Sequence, residues 1–399
     1  MNNKLSFISF VSLWFGAAIS LAELMTGGLL AGSGFKSAVA AIIIGHIIGT
    51  LILILGGYIG FKEKIPAIEG TKASFGNLGT KLFGILNIIQ LTGWTTIMII
   101  IGARTFNEVA LKLWGIDNFI LWAAAIGILI AIWIAMGIQG FKYLNTIAAG
   151  LLFALTIILS FSVFKNRELI EAVGQSPLSF GAMIELNVVM PLSWLPLIAD
   201  YTRFAENKAG AVAGSFIGYF IGSTWMYIIG LALALTSGTT DIGGILIASR
   251  LGFVAAGVIL LSTITTTFMD AYSAGVSSSS IIKGINEKNT AIAITVLSTM
   301  LAAFFPMEQY ENFLYLIGSV FAPLFAVVYT NYFILRKKKD DGAEIKLPAL
   351  ISWASGVVLY HIIKNKDIFL GVTVPVMLIT ALIFVIINKL AGERRGLRA

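Results

Sequence analysis

Two carboxylates interrupt stretches of the sequence that are otherwise apolar. Glu23 lies within SLAELMTGGLLAGSG (20–34), and Asp270 lies within LSTITTTFMDAYSAGVSSSS (261–280). An isolated charge in an apolar medium is costly, so each carboxylate must face protein, water or a ligand. A buried carboxyl group can accept hydrogen bonds from an amine or carry a proton. Both acids are predicted to bind substrate, and the alternative for Glu23 is a structural acid paired with a helix end.

An amide and an aromatic ring share one predicted helix face. Gln90 and Trp94 are four residues apart in IIQLTGWTT, a spacing that makes side chains neighbours on a helix. The amide donates and accepts hydrogen bonds, and the indole offers a flat apolar face, which together suit a small heteroaromatic ring. Trp194 is predicted to cover the other face of that ring. The alternative is that each Trp is a core or membrane-interface residue.

Hydroxyl groups are concentrated around Asp270. Thr265 and Thr266 offer neutral oxygen ligands of the kind that a hard monovalent cation accepts once its water is removed. Small hydroxylated residues also pack well between helices, and that interpretation stays open beside the cation site.

Other kinds of chemistry find little support in the sequence. There is no cysteine, which excludes disulfides and thiolate metal sites, and His46 and His361 lack metal-ligand or triad spacing. An ordered catalytic set is therefore missing, which argues against a membrane-embedded enzyme and for a protein without a cofactor. A channel is disfavoured because no filter-like segment repeats. The net charge of +7 comes from basic residues in short loops, so no nucleic-acid partner is expected.

Long apolar segments must position all of these residues. Hydrophobic residues make up 58% of the 399 residues and charged residues only 12%, whereas soluble chains carry about a quarter charged residues. A helix that crosses a bilayer needs about 20 mostly apolar residues. We predict an all-α polytopic membrane protein with twelve transmembrane spans, numbered in chain order: 7–33, 36–60, 78–112, 118–138, 142–164, 182–203, 208–236, 243–283, 289–306, 309–335, 347–364 and 367–391.

The distribution of basic residues predicts the orientation of these spans. With both termini in the cytoplasm, 19 of the 27 Lys and Arg lie inside and the other 8 lie outside or near the outer face. Cytoplasmic loops are enriched in Lys and Arg, so we expect a multi-pass protein of the cell membrane, surrounded by lipid, with both ends cytoplasmic.

Spans 1 and 6 carry signals of a broken helix. Span 1 combines Glu23 with a glycine cluster, and span 6 contains Pro191 and Pro196. Backbone groups freed in hydrocarbon need protein, water or a ligand as partners, so such breaks should line a cavity. Their positions, first in each half of a 5+5 core, predict inverted repeats with a site at the midplane. The alternative is that glycines permit close packing and prolines kink the helix.

Several segments together resemble a known family. They are FGAAISLAELMTGGLLAG and IGHIIGTLILILGGYIG in spans 1 and 2, TGW in span 3, ADYTRFA at the end of span 6, TITTTFMDAYSAG in span 8 and NYF in span 10. They are similar to the nucleobase:cation symporter family that includes cytosine permease and the hydantoin transporter. The resemblance covers essentially the whole chain. Within the family, the sequence most resembles the CytX-like branch associated with hydroxymethylpyrimidine, a thiamine precursor.

The resemblance implies a fold and a domain organisation. The family has the leucine-transporter (LeuT-like) fold, with ten core helices in two inverted five-helix repeats, helices 1 and 6 discontinuous, and two peripheral helices. Transferred to this chain, the repeats are residues 1–164 and 165–335, and residues 336–399 form a cytoplasmic loop and peripheral spans 11 and 12. Spans 1, 2, 6 and 7 are expected to rock against spans 3, 4, 8 and 9 in alternating access.

The resemblance also implies individual roles. Trp94 matches the tryptophan that stacks on substrate, and Thr265 and Thr266 match the hydroxyl pair of a Na⁺ site. Main-chain ligands of that ion match Ser20 and Ser262. We expect a monomeric symporter that imports an aminopyrimidine with Na⁺, with H⁺ as the alternative ion.

Two departures from the family bear on the substrate. Glu23 and Asp270 stand where the family has uncharged residues, which favours hydroxymethylpyrimidine or a related aminopyrimidine. Cytosine, or another purine or pyrimidine, is the alternative substrate.

Overall fold

The described part of the chain is helical. The computed structural model describes residues 4–164, 178–237 and 252–396, and these ranges contain no strand beyond a single bridge between Leu5 and Ala205. The α-helices in these ranges are α1 Phe7–Ala18, α2 Leu21–Leu29, α3 Phe35–Glu63, α4 Lys72–Trp114, α5 Phe119–Val163, α6 Phe180–Leu192, α7 Leu195–Thr202, α8 Ser215–Ser237, α9 Gly252–Ile281, α10 Glu287–Leu301, α11 Tyr310–Tyr329, α12 Leu347–Ile363 and α13 Thr373–Gly396.

Most of the predicted spans coincide with these helices. Seven helices in the described ranges are long and apolar enough to cross a membrane, or eight if α1 and α2 count as one bent span. The beginning of predicted span 8, at 243, and the boundary between the two predicted repeats, at 165, lie outside the described residues. The count of twelve spans therefore stays a prediction.

Span 1 is broken, but not by its glycines. Helix α1 ends at Ala18 and α2 begins at Leu21, and the two segments are inclined by 56°. Ser20 has extended backbone and its side chain accepts from the Glu23 N–H at 3.3 Å, an N-cap that starts a new helix. Gly27 and Gly28 lie further on, inside α2, and a Cβ at Gly27 would collide with the backbone of Tyr227 on α8. The prediction that the glycines interrupt the helix is wrong, and close packing explains Gly27.

Span 6 is broken between its two prolines. Helix α6 contains Pro191, α7 carries Pro196 in its first turn, and a two-residue turn at Ser193 and Trp194 separates them. Proline has no N–H and clashes with the preceding turn, so two prolines five residues apart interrupt the regular ladder between them. Both predicted discontinuities are therefore confirmed.

Predicted spans 4 and 5 both correspond to parts of α5, Phe119–Val163. A straight helix of these 45 residues would be about 68 Å long, roughly twice the hydrocarbon thickness of a bilayer, so α5 is too long to be a single span. Within it, Phe119–Met136 is long and apolar enough to cross a membrane by itself. The loop at 139–141 stays a prediction.

The helices pack into two groups. Helices α1 and α2 pack on α8, and α3 packs on α6, α7 and α8, which unites spans 1, 2, 6 and 7. Helix α9 packs along α4, α5 and α10. Spans 1 and 7 approach closely because Gly27 on α2 and Gly230 on α8 have no side chain. A Cβ at either position would collide with the backbone of the other helix. The two groups meet where the breaks of spans 1 and 6 lie.

Candidate substrate and cation sites

A cavity lies between the two groups of helices, beside both breaks. Its volume is about 20 Å³, which is room for about one water molecule, so the two groups of helices are close together in this conformation. Six of the nine predicted site residues line the cavity: Ser20, Glu23, Trp94, Trp194, Thr266 and Asp270. The lining also includes Ala22, Met98, Met190 and Ser193, which the sequence analysis did not propose.

The two tryptophans are held by edge contacts with other rings. Trp94 contacts Tyr310 and Phe313 with centroids 6.1 and 5.5 Å apart, and Trp194 contacts Trp14 at 5.7 Å, all in T-shaped geometry. Such contacts favour a fixed indole orientation. The Trp94 Nε1–H has no hydrogen-bond acceptor within the described residues. The cavity therefore has two aromatic walls and a donor without a protein partner.

Asp270 is a buried acid without a hydrogen-bond donor. Its side chain is 3% exposed and lines the cavity. Among the residues that the structure describes, no side chain or backbone N–H donates to its carboxylate. A buried carboxylate normally accepts several hydrogen bonds or pairs with a cation, because its desolvation is otherwise uncompensated. The arrangement can accept an amine or a protonated ring nitrogen from a solute in the cavity.

Glu23, in contrast, is fully engaged by side chains of α8. Its Oε1 lies 2.9 Å from Tyr219 Oη and its Oε2 lies 2.6 Å from Ser223 Oγ. Ser223 Oγ in turn lies 2.6 Å from His46 Nε2 on α3. The carboxyl group therefore lines the cavity on one side and belongs to a hydrogen-bonded chain on the other.

Gln90 lies behind the cavity lining. Its Nε2 donates to the carbonyl of Ser193 at 2.9 Å, and its Oε1 has no donor within the described residues. One turn away, Asn87 donates to the carbonyl of Pro196 at 3.2 Å. Helix α4 thus supplies side-chain amides that bond carbonyls at the break of span 6 and in the first turn after it.

The hydroxyls of α9 reach the break of span 1. Ser262 Oγ donates to the Ile19 carbonyl at 2.8 Å, and Thr266 Oγ1 donates to the Ala17 carbonyl at 3.3 Å. Thr265 Oγ1 is bonded within its own helix, to the carbonyls of Leu261 and Ser262 at 2.8 and 3.2 Å. The structure brings Ser20, Ser262 and Thr266 to one junction, with Thr265 beside it. Oxygen-rich junctions of this kind suit Na⁺.

Some residues of the sites carry only a weak signal in the sequence. Met98 is one helical turn from Trp94 and shares its face, so spacing alone could have found it. Tyr219 and Ser223 are also four residues apart, but nothing in the sequence links them to Glu23. The carbonyls of Ala17 and Ile19 are freed because α1 ends one residue before the break.

Comparison with known proteins relates this arrangement to transporters. A family model described as permease for cytosine/purines, uracil, thiamine and allantoin matches residues 2–386. The cytosine permease of Escherichia coli (strain K12) is 26% identical over 397 residues, which cover 97% of this chain and 91% of that protein.

Two solved structures share the fold. MHP1, a nucleobase-cation-symport-1 family transporter in a closed conformation with bromovinylhydantoin bound, superposes with a TM-score of 0.86 at 18% identity, covering 98% of this chain and 94% of its own. A Na⁺-coupled sialic acid symporter in a substrate-bound outward-open state gives 0.69 at 16% identity, covering 96% and 88%. The predicted leucine-transporter-like fold is confirmed.

The family assignment also settles the broad class of function. Its members are integral membrane permeases, so the prediction of a transporter and not an enzyme is confirmed. On a match that spans nearly the whole sequence, the chain belongs to the family of permeases for cytosine/purines, uracil, thiamine and allantoin.

Proposed function

We propose that this protein imports an amine-bearing pyrimidine, such as hydroxymethylpyrimidine or a related aminopyrimidine, by symport with a cation. It acts in the cell membrane as a monomer, with both termini in the cytoplasm. The proposed substrate site comprises Glu23, Trp94, Trp194 and Asp270, with Gln90 behind its lining, and the cation is Na⁺. Spans 1, 2, 6 and 7 rock against spans 3, 4, 8 and 9, the two repeats are residues 1–164 and 165–335, and 336–399 supplies the peripheral spans.

One observation carries the proposal: a buried carboxylate that accepts no hydrogen bond from the described residues lies in a cavity with two tryptophan walls. Asp270 would gain charge-assisted hydrogen bonds from an exocyclic amine, and its charge would favour a protonated ring nitrogen. Trp94 and Trp194 would stack on the ring. Glu23 also lines the cavity, but its carboxylate already accepts two hydrogen bonds. Asp270 is therefore the main acceptor for the amine of the substrate.

The Na⁺ part of the proposal depends on the junction of α9 with the break of span 1. Main-chain oxygens near Ser20 and Ser262, with the hydroxyls of Thr265 and Thr266, form a neutral oxygen set next to the cavity. A cation there would join the two helical groups, so that ion and solute binding favour the same conformation. That is linkage between two sites, and it requires no chemistry on the solute.

The test is uptake into proteoliposomes by wild type and by Asp270→Asn. Aminopyrimidine uptake should saturate and respond to an imposed Na⁺ gradient, and Asp270→Asn should lower it about tenfold or more, because a hydrogen bond to a charged group is lost. A pyrimidine without the amine should be affected much less.

Asp117→Asn is the matched control, because Asp117 is exposed and lies outside both proposed sites. This variant should transport normally. Equal effects of Asp270→Asn on amine-bearing and amine-free rings would reject the assigned role. Cytosine belongs in the same panel, because the cytosine permease relative makes it the second candidate substrate.

A further inference from the structure

Glu23, Ser223 and His46 form a buried chain across three spans. They lie on α2, α8 and α3, and their side chains are 2%, 0% and 0% exposed. Both contacts of Ser223 Oγ, to Glu23 Oε2 and to His46 Nε2, measure 2.6 Å. On the far side of the ring, His46 Nδ1 lies 2.9 Å from the Ile42 carbonyl. Contacts this short and this buried require a proton between each pair of atoms.

The number of hydrogens that Glu23, Ser223 and His46 need can be worked out from the atoms that only accept hydrogen bonds. The Ile42 carbonyl only accepts, so His46 Nδ1 must carry a hydrogen. Ser223 has one hydrogen and can donate it to Glu23 or to His46, but not to both. If Glu23 were ionised and His46 neutral, one of the two 2.6 Å contacts would therefore bring lone pairs face to face.

One additional proton removes this conflict. Placed on Glu23, it lets the acid donate to Ser223, which then donates to His46 Nε2. Placed on His46, it lets Nε2 donate to Ser223, which then donates to the Glu23 carboxylate. The two arrangements contain the same atoms and interconvert by shifting hydrogens along the chain. Both leave the triad with no net charge, which suits a site without an ion-pair partner for Glu23 or His46 in the described residues.

We propose that Glu23, Ser223 and His46 bind one proton and that the protein exchanges it during transport. Glu23 lines the cavity, so the proton can leave to whichever side the cavity opens. All three residues belong to spans 1, 2 and 7, and loss of the proton breaks one contact that holds α2 to α8 or α8 to α3. The role in transport rests on the proposed function, whereas the presence of the proton does not.

Among the described residues, few other titratable groups lie next to Glu23, Ser223 and His46. On α8, Tyr219 donates to Glu23 and Tyr227 packs edge-on against the His46 ring at 4.6 Å. On α11, Tyr310 is bonded to Thr26, one turn along α2. Asp270 on α9 lines the same cavity. No Lys or Arg of the described residues is bonded to Glu23 or His46, so the proton is the cation that neutralises this acid.

The first experiment asks where the proton is, without any substrate. Infrared difference spectra of wild type against Glu23→Gln report a protonated carboxylic acid at neutral pH. Nitrogen NMR of ¹⁵N-histidine protein, with His46→Gln to assign the signal, reports an imidazolium. Either signal supports the proposal. An ionised Glu23 together with a neutral His46 at neutral pH would overturn it.

The second experiment asks whether the proton moves. Ser223→Ala interrupts the hydrogen-bonded triad without removing a titratable group. Ser215→Ala is the matched control, because Ser215 is buried on the same span and its Oγ has no partner among the residues that the structure describes. In proteoliposomes, an inward proton gradient should stimulate uptake by wild type and by Ser215→Ala. Ser223→Ala should lose that stimulation while still showing a substrate-induced thermal shift.

The outcomes separate the two proposals. Equal stimulation of Ser223→Ala and wild type would overturn the proton site, even if aminopyrimidine uptake is confirmed. Failure of every ring compound to bind would reject the proposed function, and the spectroscopic result would still decide whether the triad holds its proton.

Discussion

At the residue scale, two buried acids that look alike in sequence have different surroundings. Glu23 and Asp270 each interrupt an apolar segment, and that much was predictable because the bilayer excludes unpaired charge. Their partners were not predictable. Tyr219 and Ser223 are about 200 positions from Glu23 in the chain, and only the packing of α2 on α8 brings them together. The absence of a donor at Asp270 is likewise a property of the packed helices.

The same holds for the predicted cation ligands. The pair Thr265 and Thr266 was identified by chemistry and resemblance, yet consecutive helical residues point in different directions. Thr266 crosses to the Ala17 carbonyl, whereas Thr265 bonds within α9.

We predict that Thr266→Val lowers the apparent Na⁺ affinity of uptake about tenfold or more, because it removes an oxygen at the junction with span 1. The measurement is the Na⁺ dependence of initial uptake rates at fixed substrate concentration. Thr267→Val is the control, since Thr267 is also buried but bonds only within α9, to Thr263. An identical Na⁺ dependence for both variants would contradict the site.

At the element scale, the breaks were predictable and their causes were only partly so. The prolines of span 6 act as expected. In span 1 the glycines pointed to the correct helix but not to the position of the bend, which lies at Ile19 and Ser20. The family resemblance singled out Ser20 as an ion ligand, but its sequence context does not show that it caps a new helix. From its sequence, span 1 could bend at an N-cap or pack closely on another helix at its glycines. The packing of α2 on α8 shows that the glycines serve the close contact and not the bend.

Another buried acid fixes the peripheral helices to the core. Glu185 on α6 accepts from Tyr360 on α12 at 2.6 Å, and from the Thr373 hydroxyl and the Val372 and Thr373 backbone at 2.7 to 2.8 Å. It thereby caps the first turn of α13, where a negative charge is favourable. Gly371 passes directly over the carboxylate with φ +73°.

We predict that Gly371→Ala destabilises the protein more than Gly115→Ala does. Both glycines have left-handed backbone, which costs roughly 1–2 kcal/mol for alanine. At Gly371 the new Cβ would also lie 2.7 Å from Glu185 Oε2, whereas at Gly115 nothing lies within 4 Å. Thermal unfolding in detergent should show the larger shift for Gly371→Ala, and equal shifts would contradict the packing described here.

At the scale of the whole molecule, much of the fold could be predicted and its packing could not. From the sequence alone, the spans, the breaks and the family resemblance predict two inverted repeats, because the bilayer restricts the chain to helices of known length. The cavity depends on how the helical groups meet, which no local pattern encodes.

We predict that the termini and the loop after span 10 face the cytoplasm. The chain has no cysteine, so single-cysteine variants can be labelled without background. In right-side-out vesicles, a membrane-impermeant maleimide should label Lys36→Cys, and should label Lys339→Cys only after permeabilisation; both positions are exposed. The reverse pattern would contradict the assigned orientation.

The hydroxyl contacts of α9 with span 1 have a consequence for how firmly any ion is retained. The hydroxyls of Ser262 and Thr266 donate hydrogen bonds to the carbonyls of Ile19 and Ala17. These carbonyls lie at the junction where the proposed cation would bind. In the proposed cation site, binding of the ion would replace these two hydrogen bonds, and release of the ion would allow them to form again. We therefore expect these hydrogen bonds to lower the affinity for the ion and so to favour its release.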